Sequence, residues 1–219
     1  MFHRYMITWD VKKVLSFLAT WHPATSLSLK DLTLKCVALV AITSSDRAQT
    51  IQLMDIENND MNNKGIFFPI YALLKHSKKN RPVTVVKCVK FTDHPPLDVC
   101  DYITSYMQRT LKFRIREVSL GFPKPTQLFL SYSTGKPLRR ASISKYILDV
   151  LSLAGINTSC FKSHTTRGVL PSQMMKRGSS PGQILAQGDW KHLGTFKKYY
   201  DRHSDTSIEG RLIRKVTGR

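Results

Sequence analysis

Residues 160–201, toward the carboxyl end of the chain, combine three kinds of side chain that can act on a phosphate ester. His164 and Arg167 form a His-x-x-Arg pair, and Tyr199 and Tyr200 follow later in the segment. On a helix, the first two point from the same face and can both reach one phosphate. Arginine offers a planar charged fork, and neutral histidine exchanges a proton near pH 7. A tyrosine hydroxyl becomes nucleophilic where positive charge stabilises its oxyanion. These residues predict a phosphoryl-transfer site that needs no metal.

The composition of the chain limits what such a site could act on. Its 219 residues are 42% hydrophobic, enough for one domain with a core, and 34 Lys and Arg against 15 Asp and Glu give a formal charge of +19. This excess favours a polyanionic partner, because each neutralised phosphate releases condensed counterions. Nucleic acid is the leading partner class, and an anionic membrane surface is second. The longest apolar run, residues 36–42, is far shorter than the roughly 20 residues that span a bilayer.

The cysteine pattern bears on the compartment. The sequence shows neither CxxC pairing nor the spacing of metal ligands, and no signal peptide opens it. We therefore expect no metal site, and reduced thiols in the nucleus or cytosol. The short apolar runs predict a soluble chain. The four cysteines are Cys36, Cys88, Cys100 and Cys160.

Hydrophobic periodicity in the first quarter of the chain predicts helices. Asp10 is expected to cap a helix that ends before Pro23, and Ser28 or Asp31 to cap a second helix with one face toward the core. The small polar residues 44–46 then break this helix and start another. Arg47 follows at that corner, where a cation opposes the helix macrodipole. A purely structural role is therefore unattractive, and the position favours a functional one.

The middle of the chain predicts a β-hairpin and a packing helix. After a polar loop at residues 57–65, residues 66–91 form two extended runs around a turn at 78–82. Apolar spacing over residues 97–113 predicts a helix, with Leu111 on its packing side. The Lys and Arg residues over 112–116 are interpreted as a solvated face.

The last third predicts an extended segment and three helices. A short buried extended run at residues 126–133 precedes a helix with apolar residues 143–151, which stops at Gly155. Ser163 is expected to cap the helix that carries the His-x-x-Arg pair, with Pro171 breaking or kinking it. The next helix begins at Ser180 and Pro181 and ends at Gly188. The elements together predict an α+β domain that is mainly α-helical.

Three motifs in order resemble the catalytic half of tyrosine recombinases, in particular those of Crypton and DIRS-like eukaryotic mobile elements. These motifs are His-x-x-Arg, a Gly-Trp turn and Thr-Phe-x-x-aromatic-Tyr, which read HTTR, GDW and TFKKYY here. The resemblance covers Tyr5 to Arg202. It implies the tyrosine recombinase catalytic-domain fold, with a small antiparallel β-sheet, over residues 1–205. Residues 206–219 form a basic tail, and the N-terminal core-binding domain of the family is expected to be absent.

The resemblance also implies a reaction, in which DNA is cut and rejoined through a 3′-phosphotyrosine linkage. No cofactor is implied, because this linkage conserves the bond energy for religation. Arg47, Arg167 and Trp190 would hold and neutralise the phosphate, and His164 would assist proton movement. Lys75 would protonate the leaving 5′-hydroxyl.

Two adjacent tyrosines compete for the role of nucleophile in this resemblance. Tyr199 lies nine positions after Trp190, as in bacterial and phage recombinases, whereas Tyr200 lies ten after it, as in the Crypton and DIRS-like group. Neighbouring residues on a helix diverge by about 100°, so only one can face the phosphate. Tyr200 is favoured, because Thr195, Phe196 and Tyr199 fit the eukaryotic pattern as a unit.

The partner implied is double-stranded DNA, on which a homotetramer is compatible with the resemblance, and the compartment is the nucleus. Several basic residues are candidates for contacts with the DNA backbone, although ordinary surface charge explains them too. These residues are Lys78, Lys79, Arg81, Lys136, Arg139 and Arg140.

Three other functions compete with recombination. The first is a catalytically inactive DNA-binding module derived from a mobile element, which fits the expected loss of the core-binding domain. The second is an enzyme similar to type IB topoisomerases, which uses related chemistry without strand exchange between partners. The third is a basic RNA-binding or ribosomal protein, which would not require ordered Arg, Lys, His-x-x-Arg and Tyr elements.

Overall fold

Helix α2 (Leu29–Ser44) is the central element of the fold. The computed structural model describes residues 7–72, 83–176, 178–188 and 203–204. Every residue from Leu32 to Ile42 is buried, so α2 is enclosed on all sides and not on the single face that its sequence suggested. Of the two candidate caps, Ser28 is the N-cap, and its Oγ accepts a hydrogen bond from the backbone N–H of Asp31.

Six further α-helices lie in the described part of the chain. Helices α4 and α5 pack directly against α2, and α3 packs against α5. Asp10 caps the first helix through the backbone N–H groups of Lys12 and Lys13, as its sequence predicts. The six are α1 (Val11–Thr20), α3 (Ala48–Gln52), α4 (Val99–Ser119), α5 (Arg140–Leu153), α6 (Val169–Lys176) and α7 (Pro181–Gly188).

An antiparallel sheet of three strands covers one side of this core. Strands β3 (Gly65–Ile70) and β4 (Thr84–Val89) confirm the predicted hairpin, and the residues between them that include its turn lie outside the described ranges. The polar loop expected at residues 57–65 instead contains β2 (Asp60–Asn62), which pairs with β3. Because β2 is short and fully exposed, it lacks the alternation of apolar residues that marks a strand.

Alternation along the hairpin gives the sheet one buried face. Ile66 and Phe68 on β3 lie opposite Cys88 and Val86 on β4, and all four side chains are buried.

The four cysteines are free thiols, of which Cys160 is exposed. Burial raises the pKa of the Cys36 and Cys88 thiols well above its usual range.

A pair of two-residue strands joins distant parts of the sequence. Strand β1 (Ile7–Thr8) pairs in parallel with β5 (His203–Ser204). The pairing brings residue 203, close after the tyrosine pair, beside the segment that leads into α1. Across the described ranges, none of the helices combines the length and apolar character needed to cross a membrane.

Helix α4 is longer and more mixed in character than its sequence predicts. It continues to Ser119, and Leu111, expected on the packing side, is 49% exposed. Arg114, expected on a solvated face, is 1% exposed and donates hydrogen bonds to the carbonyls of Pro125 and Leu128. The sequence prediction was wrong here, because an arginine can be buried when backbone carbonyls of another segment accept its hydrogen bonds.

A buried lysine joins three elements on the side of α2 that faces α1. The Lys35 ammonium donates to the carbonyls of Leu18 (2.8 Å), Trp21 (2.6 Å) and Pro96 (2.7 Å). It also lies 3.7 Å from the centre of the Tyr102 ring. The end of α1 and the short 3₁₀ helix Pro95–Leu97 are therefore both attached to α2.

Candidate active site

A cavity of about 250 Å³ is lined by residues of α3, of α5 and of the 3₁₀ helix Ser163–Gly168. Arg47, His164 and Arg167 all line it, although Arg47 is more than a hundred positions from the other two in the sequence. The three side chains singled out from the sequence therefore lie around one cavity. The remaining lining residues are Asp46, Ala48, Gln49, Arg140, Ser144, Ile147, Ser163 and Thr166.

The turn after α2 positions two of these side chains. Ser45 adopts a left-handed conformation (φ 61°, ψ 20°), which ends α2 as the small polar residues predict. The chain thereby changes direction, and Arg47 becomes the N-cap residue of α3. The carbonyl of Ser45 accepts a hydrogen bond from Arg167 Nε at 3.1 Å. One turn therefore places the first arginine and orients the second.

The His-x-x-Arg pair lies on a 3₁₀ helix and not on the α-helix that the sequence predicted. Lys162 precedes this 3₁₀ helix, and no side-chain hydrogen bond caps it, so the expected cap by Ser163 was wrong. With three residues per turn, positions three apart eclipse one another, so His164 and Arg167 leave the same side of the segment. The spacing of three residues therefore places both side chains on one side of this 3₁₀ helix, as it would have done on an α-helix.

Pro171 neither breaks nor kinks the helix that carries the pair. It is the third residue of α6, which begins at Val169 directly after the 3₁₀ helix. In the first turn of a helix the missing N–H of proline costs little, because that group lacks an intrahelical acceptor. The expected interruption was therefore wrong, and Pro171 marks the start of a new helix.

Trp9 anchors the 3₁₀ helix from the opposite end of the chain. Its indole N–H donates to Thr165 Oγ1 at 2.9 Å, and that hydroxyl donates in turn to the carbonyl of Lys162 at 2.7 Å. Thr166 Oγ1 donates to the carbonyl of Ser163 at 2.8 Å. Because residues 165–168 are buried while His164 is exposed, the segment presents the histidine at the surface. Sequence reasoning missed Trp9, since no local pattern indicates a partner 156 residues away.

Burial differs among the charged side chains of the cavity. Arg167 is 4% exposed, Arg47 is half-buried, and Arg140 is exposed. Asp46 also lines the cavity, so the described lining includes three arginines and one aspartate. One guanidinium group can donate two parallel hydrogen bonds to two oxygens of a phosphate, and this interaction is stronger where water is excluded. The arrangement can hold and neutralise a phosphodiester.

Several predicted site residues lie outside the described residues. The structure therefore does not place the predicted general acid, the third phosphate ligand or either candidate nucleophile. Of the predicted backbone contacts that are described, Lys136 and Arg139 are exposed, and neither lines the cavity, whereas Arg140 does. Those outside the described ranges are Lys75, Lys78, Lys79, Arg81, Trp190, Tyr199 and Tyr200.

Helix α7 precedes the last group of predicted residues. It begins at Pro181 and ends at Gly188, as predicted, and Ser180 and Gln183 exchange the hydrogen bonds of a capping box. Among the residues with described positions, no group of three or more His, Cys, Asp or Glu side chains is arranged to hold a metal ion.

The chain is similar in fold to solved recombinase structures. XerA recombinase shares 15% identity at a TM-score of 0.64, covering 98% of this chain and 66% of that one. XerH recombinase in its pre-cleavage complex with difH substrate shares 13% identity at a TM-score of 0.62, and the match covers 98% of this chain and 53% of XerH. Tn1549 transposon integrase in complex with circular intermediate DNA shares 11% identity at a TM-score of 0.56, and the match covers 98% of this chain and 66% of the integrase chain. The chain thus spans about half to two thirds of the length of these proteins.

These similarities show the catalytic-domain fold of tyrosine recombinases, mainly helical with a small antiparallel sheet. A comparison with curated protein sequences found no match. The model of the phage integrase family matches residues 8–206, a range that contains every candidate catalytic residue named above. The chain therefore belongs to the phage integrase family.

Proposed function

We propose that this protein is a site-specific tyrosine recombinase that breaks and rejoins DNA through a 3′-phosphotyrosine intermediate. The observation that supports this most is the position of Arg47, His164 and Arg167 around one cavity in a chain of the phage integrase family. Family membership alone supports recombinase-type chemistry. The cavity brings together three of the groups that such chemistry needs around a phosphate.

In the proposed first step, the Tyr200 oxygen attacks the scissile phosphorus, and the bond from phosphorus to the 5′-oxygen breaks. Arg47 and Arg167 stabilise the negative charge that grows on the non-bridging oxygens, an effect that is strongest in a water-excluded site. His164 assists removal of the tyrosine proton, and Trp190 donates its indole hydrogen bond to the phosphate. Lys75 gives a proton to the leaving 5′-oxygen.

The second step reverses the first with a different strand. A free 5′-hydroxyl attacks the phosphotyrosine, and the tyrosine oxygen leaves with a proton returned to it. One phosphodiester bond is lost and one is formed, so the reaction balances without a cofactor.

The proposal extends to partners and origin. Double-stranded DNA is the substrate, a homotetramer on DNA performs the exchange, and Lys78, Lys79, Arg81, Lys136 and Arg139 contact the backbone. The TFKKYY segment supports an origin in a eukaryotic mobile element of the Crypton or DIRS-like kind, and hence a nuclear location. Imaging of the tagged protein in eukaryotic cells tests the location.

Trapping of a covalent intermediate tests the function. Duplexes that bind the chain are first selected from a random library, and a nicked suicide version of the selected site is then incubated with the protein. We expect a covalent protein–DNA adduct that forms with wild type, is abolished by Tyr200→Phe, and persists in part with Tyr199→Phe. Arg47→Ala should reduce adduct formation by about 100-fold or more.

Each other result assigns a different role. Loss of the adduct with Tyr199→Phe alone moves the nucleophile to Tyr199, and an adduct in the double variant rejects tyrosine chemistry. Selective DNA binding by wild type with no adduct at any site supports the inactive DNA-binding module instead. Relaxation of supercoiled DNA that persists at high dilution would indicate a topoisomerase, because relaxation needs no assembly.

A further inference from the structure

We infer that Arg140 and Ser144 form a second phosphate subsite, which binds the phosphate next to the scissile one on the same strand. The inference rests on the proposed function, because it presumes that DNA enters the cavity. The subsite lies on the wall of the cavity that α5 provides. Of the described residues, the proposed reaction uses only those of the turn after α2 and of the 3₁₀ helix Ser163–Gly168.

The first observation is the arrangement along α5. Arg140 is the first residue of this helix, Ser144 lies one turn later, and Ile147 lies nearly two turns later. Positions separated by four and three residues share one face of a helix, and all three of these side chains line the cavity. Ile147 is 3% exposed, Ser144 is half-buried and Arg140 is exposed, so this face becomes more polar and more exposed from Ile147 to Arg140.

The second observation is that the Arg140 side chain is not used in the internal hydrogen bonds of the described residues. Arginines that stabilise this fold donate to carbonyls: Arg109 to Leu27 at 2.7 Å, and Arg116 to Thr134 at 2.8 Å. Among the described residues, Arg140 makes no such hydrogen bond and no ion pair. A guanidinium with five donors at the mouth of a cavity is suited to an anion that enters from solvent.

The third observation is the depth of the arginines. Arg167 is nearly inaccessible and Arg47 is half-buried, whereas Arg140 is exposed, so the three are not equivalent ligands of one group. Phosphates recur at each nucleotide of a DNA strand. A strand whose scissile phosphate reaches the two deeper arginines therefore carries its neighbouring phosphate toward the mouth.

The experiment uses a matched pair of variants and DNA with single neutral phosphates. Arg139 adjoins Arg140 in sequence, is also exposed, and does not line the cavity, so its proposed backbone contact is at another phosphate. Arg139→Ala therefore removes the same charge beside the proposed subsite. Affinity for the selected duplex is measured for wild type, Arg47→Ala, Arg140→Ala and Arg139→Ala. Each measurement is repeated on duplexes that carry one methylphosphonate, which removes the charge of a single phosphate, at successive positions.

We expect Arg140→Ala to weaken binding to the unmodified duplex by about 10- to 100-fold, as loss of a charge-assisted contact does. Arg140→Lys should recover part of this loss. On a duplex with the relevant phosphate neutralised, wild type and Arg140→Ala should bind equally, because the interaction is already absent. That phosphate should be the immediate neighbour of the one whose neutralisation cancels the effect of Arg47→Ala. Arg139→Ala should show no cancellation at that position.

Four results would overturn the inference. Cancellation of the Arg140 and Arg47 effects at the same phosphate would mean a single site, and cancellation of the Arg140 effect at no position would mean no phosphate contact. Equal behaviour of Arg139→Ala and Arg140→Ala at every position would mean general surface charge. Failure of wild type to bind duplex DNA would reject the proposed function together with the subsite, and binding without an adduct would leave the subsite standing while rejecting catalysis.

Discussion

At the scale of single residues, Ser45 combines two unfavourable features at the turn that positions both arginines. A left-handed conformation costs a residue other than glycine roughly 1–2 kcal/mol. The Ser45 side chain is also buried, and its hydroxyl has no hydrogen-bond partner within the described part of the chain. Strain of this kind persists where the surrounding structure determines the conformation. Here the carbonyl of Ser45 is held by Arg167.

Replacement of this serine tests whether the strain is real. We expect Ser45→Gly to raise the free energy of unfolding by about 1 kcal/mol, because glycine removes the strain and the buried hydroxyl but adds entropy to the unfolded chain. Urea titration measures the change. Ser44→Gly is the matched control and should destabilise, since Ser44 lies in α2 and its Oγ accepts from the backbone N–H of Asp46 at 3.2 Å. A destabilised Ser45→Gly protein would contradict the account.

The principal site residues could be predicted individually, because each carries its own signal in the sequence. His164 and Arg167 stand out by type and spacing, and Arg47 by its unfavourable place before a helix. Arg140 carries no such signal, because its relation to the cavity depends on which face of α5 turns inward. Trp9 could not be predicted for a related reason, since its hydrogen bond to Thr165 forms only when two segments 156 residues apart meet in the fold.

At the scale of elements, the attachment of α1 to α2 depends on a buried amino group. Lys35 is 0% exposed, and burial lowers the pKa of its ammonium to about 7. The Tyr102 ring beside it stays neutral below about pH 10, because burial raises the pKa of Tyr102 to about 12. Between pH 7 and the usual lysine pKa near 10.5, the unfolded chain therefore holds a proton at this position that the folded chain releases.

The sign of the pH effect follows from that difference. Where the unfolded state binds more protons, stability rises with pH, here by up to about 1.4 kcal/mol per unit from pH 7 toward pH 10. We expect Lys35→Met to be less stable than wild type, because three carbonyls lose their donor. The gap should widen as pH rises from 7 to 10. Chemical denaturation at several pH values measures it, and exposed Lys30→Met, in the same helix, should show a constant gap.

Elements were predictable where local rules decide them and not where distant contacts do. The N-cap Asp10, the hairpin and α7 follow from short-range signals, and all three are present. The 3₁₀ helix Ser163–Gly168 does not follow from such signals, because its geometry depends on buried threonine hydroxyls and on Trp9. The lone Lys35 in an apolar stretch likewise gave no sign that carbonyls of two other elements would enclose it.

At the scale of the whole molecule, charge and topology act together. The chain carries a formal charge of +19, and the described lining of the candidate site brings three arginines and one aspartate around one cavity. Charge of this density attracts a polyanion over long range, whereas the cavity sets where its backbone is held. Affinity and position therefore have separable sources. In the proposed function, general surface charge supplies most of the salt-dependent attraction, and each cavity arginine adds a contact at a defined phosphate with its own salt dependence.

This separation predicts how binding responds to salt. Affinity for duplex DNA should fall by on the order of 10³ or more between 50 and 200 mM salt, because several neutralised phosphates release their counterions. Arg47→Ala, which removes one phosphate contact, should reduce the slope of log affinity against log salt by about 0.9. Lys145→Ala is the matched control: Lys145 is exposed, pairs with Asp149 at 2.9 Å, and does not line the cavity, so the slope should not change. Affinity that stays flat across this range would reject a phosphate-tracking surface, and equal slopes for the two variants would remove Arg47 from the contacts that hold the strand.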